Sequence, residues 1–150
     1  MDMQRRESIR ILLVEDDDGH ARLIERNLRK VSLVNPIERV PDGQEALDYL
    51  LNEGRFADGE KSPRPQLVLL DINLPRVDGI EVLERIKSDA RLRALPVIML
   101  TSTDTRAEVD RCYRAGASGY VAKPVNIGTL GEKLHRLGMF LEIVELPQVA

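Results

Sequence analysis

Tryptophan is absent from this chain, phenylalanine occurs twice, tyrosine three times and cysteine once. So few aromatic rings in 150 residues leave no platform on which nucleic-acid bases could stack. The single thiol, Cys112, excludes an internal disulfide and fits a reducing cytosol. No apolar run approaches the ~20 residues of a membrane-spanning helix, and residues 1–8 are too polar for a secretory leader. A large charge of either sign is missing too: the net charge is −3, so neither nucleic acid nor an acidic membrane is an expected partner. Together these absences predict a cytoplasmic location.

What is present suits one globular unit. Hydrophobic residues make up 43% of the chain and charged residues 31%, and a domain of 150 residues hides about 70% of its unfolded surface. Five short apolar runs recur along the chain: Ile9–Val14, Ile37–Val40, Gln66–Asp71, Pro96–Leu100 and Gly119–Ala122. Bounded runs of this length fit strands buried on both faces of a parallel sheet. Between and after them lie helical periodicities. Leu23, Ile24, Leu28 and Val31 share one face of the first helix, and Ala46, Leu47, Leu50 and Leu51 face inward on the second. Ile80, Leu83 and Ile86 do so on the third, and Leu130, Leu134, Leu137 and Leu141 on the last. Asp42 with Glu45 three residues on reads as a capping box, and Gly116 as a helix stop. Residues 54–65, with two glycines and two prolines, read as a surface loop. Strands alternating with helices predict an α/β fold, its parallel sheet covered on both faces by right-handed crossovers.

The strand ends carry the chemistry. They read Glu15-Asp16, Asp71, Thr101-Ser102 and Lys123, and a parallel sheet brings all of them to one edge. Each alone would be an ordinary turn or surface residue. With adjacent strands about 4.8 Å apart, neighbouring first and third strands would crowd three carboxylates together. Crowded carboxylates raise one another's pKa unless a cation shares the site, and an all-oxygen cluster suits Mg2+. Lys123 and Thr101 on the other side could neutralise a phosphoryl group. The assembly fits nucleophilic attack by a carboxylate on phosphorus, giving an aspartyl phosphate.

Residues 9–141 resemble the receiver domain of bacterial two-component response regulators. The resemblance rests on Leu13-Val14-Glu15-Asp16-Asp17, Leu70-Asp71-Ile72-Asn73-Leu74-Pro75, Asp78-Gly79, Thr101-Ser102 and Gly119-Tyr120-Val121-Ala122-Lys123-Pro124, in the family's order and spacing. It implies a flavodoxin-like sheet of order 2-1-3-4-5, with Asp71 as phosphoacceptor for a histidine kinase. It further implies magnesium held by Asp16 and Asp71, by Glu15 through water and by the Asn73 backbone carbonyl. Thr101 and Lys123 would act on the phosphoryl group, Tyr120 would be the aromatic that changes rotamer on activation, and Lys123-Pro124 would be a cis bond. Glu15 departs from the aspartate common in the family, and Asp17 reads as a solvated turn residue. Loop 54–65, the Asp71–Pro75 form and the tail Leu141–Pro147 further resemble the single-domain regulators paired with phytochromes, so a phytochrome-type kinase is an expected partner.

Pro147 is followed by three residues, which predicts a receiver without an output domain, preceded by a tail at 1–8 and followed by an extension at 142–150. The apolar residues Met139, Phe140, Leu141, Ile143, Val144 and Leu146 predict a homodimer through the last helix and tail. His20 and His135, each without a second His or Cys nearby, read as exposed helix residues. Arg106, Arg111 and Arg114 read as a solvated helix face, and Cys112 as a packing residue. Three other functions share parts of the pattern. An aspartyl-intermediate phosphatase needs a second acid two residues after the nucleophile, where this chain has Asn73. A flavin carrier would need a phosphate loop where Glu15, Asp16 and Asp17 stand. A scaffold that never takes phosphate has no reason to tolerate so much charge. No turnover of an external substrate is therefore expected.

Overall fold

The computed structural model describes residues 10–30, 36–59, 62–102, 105–125 and 127–136. Five strands, β1 (Ile11–Val14), β2 (Ile37–Val40), β3 (Leu67–Asp71), β4 (Val97–Thr101) and β5 (Gly119–Ala122), form one parallel sheet of order β2-β1-β3-β4-β5. Helices α1 (Asp18–Lys30), α2 (Gly43–Leu51), α3 (Gly79–Ser88), α4 (Arg106–Arg114) and α5 (Ile127–Arg136) follow the strands in turn. This is the doubly wound, flavodoxin-like arrangement expected from the sequence.

Every residue of β1, β3 and β4 is buried, as their unbroken apolar runs require. Alternate residues divide between two cores. Leu12, Val14, Val68, Leu70, Val97 and Met99 pack with α2, α3 and Cys112 of α4. Ile11, Leu13, Leu67, Leu69, Ile98 and Leu100 pack with α1 and Leu130 of α5. Ile24 and Leu28 are buried on α1, but Leu23 is largely exposed, a correction to the expected helix face. The buried stripe of α1 runs through Ala21, Ile24 and Leu28 and leaves Leu23 at its edge. Val31, Leu137, Leu141, the apolar tail and the dimer surface expected there lie outside the described residues.

Helix starts are set by side chains. Asp42 Oδ1 accepts from the Glu45 amide (2.8 Å), Asp78 Oδ1 from Glu81 (3.0 Å) and Thr105 Oγ1 from Glu108 (3.3 Å). Only half of the expected capping box at Asp42 forms, because Glu45 turns to Arg55 instead. α2 ends at Asn52, in the left-handed region at φ 56°, and Gly116 (φ 107°) follows α4 as expected.

Residues 54–59 and 62–65 are less open than their composition suggested. A single 3-10 turn, Gly54–Phe56, buries Phe56 edge-on against Tyr49 with ring centroids 5.0 Å apart. Ser62 is also buried, and the Tyr49 hydroxyl donates to the Pro63 carbonyl at 2.9 Å. Burial in turn holds the Tyr49 hydroxyl above its usual pKa, with the Glu38 charge adding to the effect. Tyr49 thus meets the loop at two points, Phe56 and Pro63. Tyr49→Phe should cost about 1 kcal/mol, read as a melting temperature lower by ~2–4 °C; an unchanged melt would show that the tie carries no weight.

Candidate functional site

The parallel register delivers the expected residues to one edge. Val14 pairs with Leu70 of β3, Asp71 with Leu100 of β4, and Thr101 with Ala122 of β5. Glu15 therefore leaves β1 beside Asp71, the last residue of β3, while Thr101 ends β4 and Lys123 follows β5. Glu15, Asp71 and Thr101 are almost completely buried, at 0%, 4% and 2% exposure, whereas Asp16 is exposed. One carboxylate oxygen from each of Glu15, Asp16 and Asp71 lies within 4.8 Å of the others.

Lys123 bridges the acids. Its Nζ stands 2.7 Å from Glu15 Oε1 and donates to Asp71 Oδ2 at 3.1 Å. Burial disfavours the ammonium, but the adjacent Glu15 and Asp71 carboxylates outweigh it and hold Lys123 above its usual pKa. For Asp71 the balance tips the other way. Burial first, then the charge of Glu15, raise it to about 6, although Lys123 and the Asn73 amide (3.3 Å from Oδ1) pull it down. The Lys123-Pro124 bond is cis. Tyr120 is half-buried on β5, its ring edge-on to Tyr113 of α4 with centroids 6.1 Å apart and 5.2 Å from Lys133 Nζ of α5.

The donor set suits a hard cation. It is all oxygen, negatively charged and partly open through Asp16. Among the described residues, Glu15 Oε1 is the buried side-chain atom left without a hydrogen bond: Lys123 approaches it as a charge, without hydrogen-bond alignment. An acceptor held in that condition has spare capacity for a cation or for a water bound to one.

One residue of the site, Arg39, was not singled out by the sequence, and the contacts of a second, His20, were not foreseen. Arg39, at the end of β2, donates from Nε (3.0 Å) and Nη2 (2.7 Å) to the Glu15 carbonyl, and from Nη1 to Asp18 Oδ1 (2.7 Å). It clamps the loop that presents the acids. The only signal available was an arginine near the end of an edge strand, three residues before the Asp42 cap. His20 is exposed, as expected, but is no bystander. Its Nδ1 lies 3.5 Å from Lys123 Nζ and 3.7 Å from Glu15 Oε2. With Leu23, Ser102, Lys123 and Val125 it lines a cavity of about 300 Å³ beside the acids. Its place in the first turn of a helix that starts three residues after Glu15 already put it next to the acid loop, but not against Lys123. Asp17 caps that turn, accepting from the His20 amide at 2.8 Å, and this bond lowers its pKa; its oxygens are not in the acid cluster.

The family model described as "Response regulator receiver domain" matches residues 11–135. The chain belongs to that family. As a receiver domain it is a phosphorylation-dependent signalling switch and not a conventional turnover enzyme. Among curated relatives, response regulator Rcp1 of Synechocystis sp. is 36% identical over 138 residues, covering 91% of this chain and 92% of Rcp1. The Mn(2+)-bound form of Rcp1 superposes with a TM-score of 0.72 at 33% identity, over 95% of this chain and 97% of that one. The bacteriophytochrome response regulator AtBRR is 40% identical, with a TM-score of 0.78 over 88% and 94% of the two chains. The phosphorylated cyanobacterial phytochrome response regulator RcpA is 35% identical, with a TM-score of 0.75 over 93% and 99%. Among the described residues of this receiver domain no helix is long and apolar enough to cross a membrane.

Proposed function

We propose that this receiver domain takes its phosphoryl group on Asp71 from a histidine kinase, with Mg2+ held by Glu15, Asp16, Asp71 and the Asn73 backbone carbonyl. The observation that carries the reading is the Glu15–Lys123–Asp71 chain of contacts, 2.7 and 3.1 Å, closed by Asp16 within 4.8 Å. An Asp71 oxygen attacks the phosphorus of a phosphohistidine, the P–N bond breaks, and its electron pair stays on the imidazole nitrogen. Lys123 leaves Asp71 for an oxygen of the arriving phosphoryl group, and Thr101 donates to another. The bound cation supplies charge neutralisation on those oxygens. Asn73 stands where a phosphatase would carry its second acid, so no turnover of external phosphoesters is expected, and the domain promotes only the gain and loss of its own phosphoryl group.

Likeness to AtBRR, RcpA and Rcp1 supports the narrower reading that the phosphodonor is a phytochrome-type kinase. The Mn(2+)-bound form of Rcp1 supports a divalent cation at the acid cluster. The partner reading includes a homodimer through the last helix and tail, Tyr120 as the aromatic that responds to phosphorylation, and a cytoplasmic location. Acetyl phosphate with magnesium tests the centre of the proposal. Intact-mass spectrometry should show one phosphoryl increment, mapped to the peptide containing Asp71 and lost when EDTA is present. An increment elsewhere, or none, would sink it.

A further inference from the structure

The first turn of α2 and the loop after Asp71 cross with no clearance between their backbones. A Cβ on Gly43 would lie 1.9 Å from the Val77 carbonyl oxygen and 2.8 Å from the Val77 carbonyl carbon. Carbon and oxygen normally stay beyond ~3 Å, so a side chain at Gly43 forces one backbone to move by about 1 Å. The same loop is pinned at its root. A Cβ on Gly79 would lie 2.2 Å from the Asp71 carbonyl oxygen, and the Gly79 amide donates to the Ile72 carbonyl at 2.8 Å. In its middle the Val77 amide donates to the Pro75 carbonyl at 2.8 Å, and Arg76 adopts φ 71°. That left-handed conformation costs a residue with a Cβ about 1 kcal/mol, a cost that glycine would remove. Arginine is there instead, its Nη1 3.7 Å from Asp42 Oδ2, on the carboxylate that caps α2.

Gly43, Arg76, Val77 and Gly79 lie outside the acid, hydroxyl and lysine set. What they share is loop 72–78, which carries Asn73. We propose that Gly43 and Arg76 are positioning residues for the metal site: the first turn of α2 is a backstop that fixes the path of loop 72–78 and, through it, the Asn73 carbonyl. The inference rests on the reading that this carbonyl and the acid cluster hold a divalent ion. Glycine at 43 lets the two backbones touch, and the Arg76–Asp42 tether keeps them there. A loop merely joining β3 to α3 would need neither.

The test is calorimetric titration of the full chain with magnesium and manganese chloride, alongside thermal melts in EDTA. Four proteins are compared: wild type, Gly43→Ala, Arg76→Gly and Leu28→Ala. Leu28 packs in the core on the opposite face of the sheet, so its variant is a destabilised control. Gly43→Ala should weaken metal binding by about tenfold, as expected when support of a ligand is lost, with phosphorylation by acetyl phosphate recovered at saturating magnesium. Arg76→Gly keeps the left-handed backbone, drops the tether, and should weaken binding by about threefold. Leu28→Ala should melt earlier yet bind metal as wild type does. Unchanged affinity in Arg76→Gly overturns the inference, even if Gly43→Ala fails to fold. So does a loss in Leu28→Ala equal to that in Gly43→Ala. A wild-type protein that binds neither ion refutes the underlying metal reading, a result distinct from all of these.

Discussion

Asp71→Asn is expected to abolish phosphoryl uptake and, in metal-free protein at neutral pH, to raise the melting temperature. The first effect follows from the loss of the oxygen proposed as the nucleophile. The second follows from the environment of that carboxylate, buried at 4% exposure and facing Glu15. A group raised to about 6 in the folded protein holds its proton more tightly there than in the unfolded chain, where it titrates near ~3.9. Ionised Asp71 therefore costs folding energy. That cost is absent below about pH 4, grows as pH rises from about 4 to 6, and is constant above. Two pH units correspond to roughly 3 kcal/mol, which partial contact with solvent reduces to about 1–2 kcal/mol. In a chain of this size the variant should melt ~2–6 °C above wild type at about pH 7 in EDTA, and the two melts should converge near about pH 4. Magnesium should narrow the gap by stabilising wild type. Equal melts in EDTA at neutral pH would contradict the strain assigned to Asp71.

Lys123→Met should act in the opposite direction and more strongly. Its ammonium is the cation beside both buried acids, 2.7 Å from Glu15 and 3.1 Å from Asp71. Removing one partner of a buried pair leaves the other charge uncompensated, at a cost of ~3–5 kcal/mol when solvent is excluded. The opening through Asp16 lowers this to about 2–3 kcal/mol, or ~5–10 °C of melting temperature in EDTA. A divalent cation replaces the missing charge, so magnesium should recover much of the loss. It should not recover phosphoryl uptake, which is expected to fall about 100-fold if Lys123 meets the arriving group as proposed. Differential scanning calorimetry with and without magnesium checks the first statement, and acetyl phosphate kinetics the second. A variant as stable as wild type in EDTA would mean that Glu15 and Asp71 do not depend on the lysine.

The fold was legible because its strands are unambiguous. Ile11–Val14, Leu67–Asp71 and Val97–Thr101 are buried on both faces, and such strands announce themselves as unbroken apolar runs. The acid, hydroxyl and lysine positions were legible for a related reason: a polar residue ending a buried run has to emerge at the sheet edge, and the parallel topology makes that edge common to all strands. What supports those residues was not legible. Arg39 reaches the Glu15 carbonyl from β2, and His20 meets Lys123 across more than a hundred residues of sequence. Such contacts depend on how edges and helix starts are placed in space, which hydrophobic periodicity does not encode. Gly43 is the sharpest case. In the sequence it is a small residue after a capping aspartate, and only the Val77 carbonyl against its Cα gives a reason for it. Leu23 shows the converse: an apolar residue at helical spacing that points to solvent beside the site cavity.

The capped helix starts have an electrostatic consequence. Each helix follows a strand that ends at the functional edge, so Asp42, Asp78 and Thr105 begin their helices on that side of the sheet. A helix carries the equivalent of about half a positive charge at its amino end. The macrodipoles of α2, α3 and α4 thus share one orientation, with their positive poles on the side where an anion would dwell. A chain with net charge −3 and a cluster of acids at its centre can in this way present a background potential less hostile to a phosphoryl dianion than its formal charges suggest.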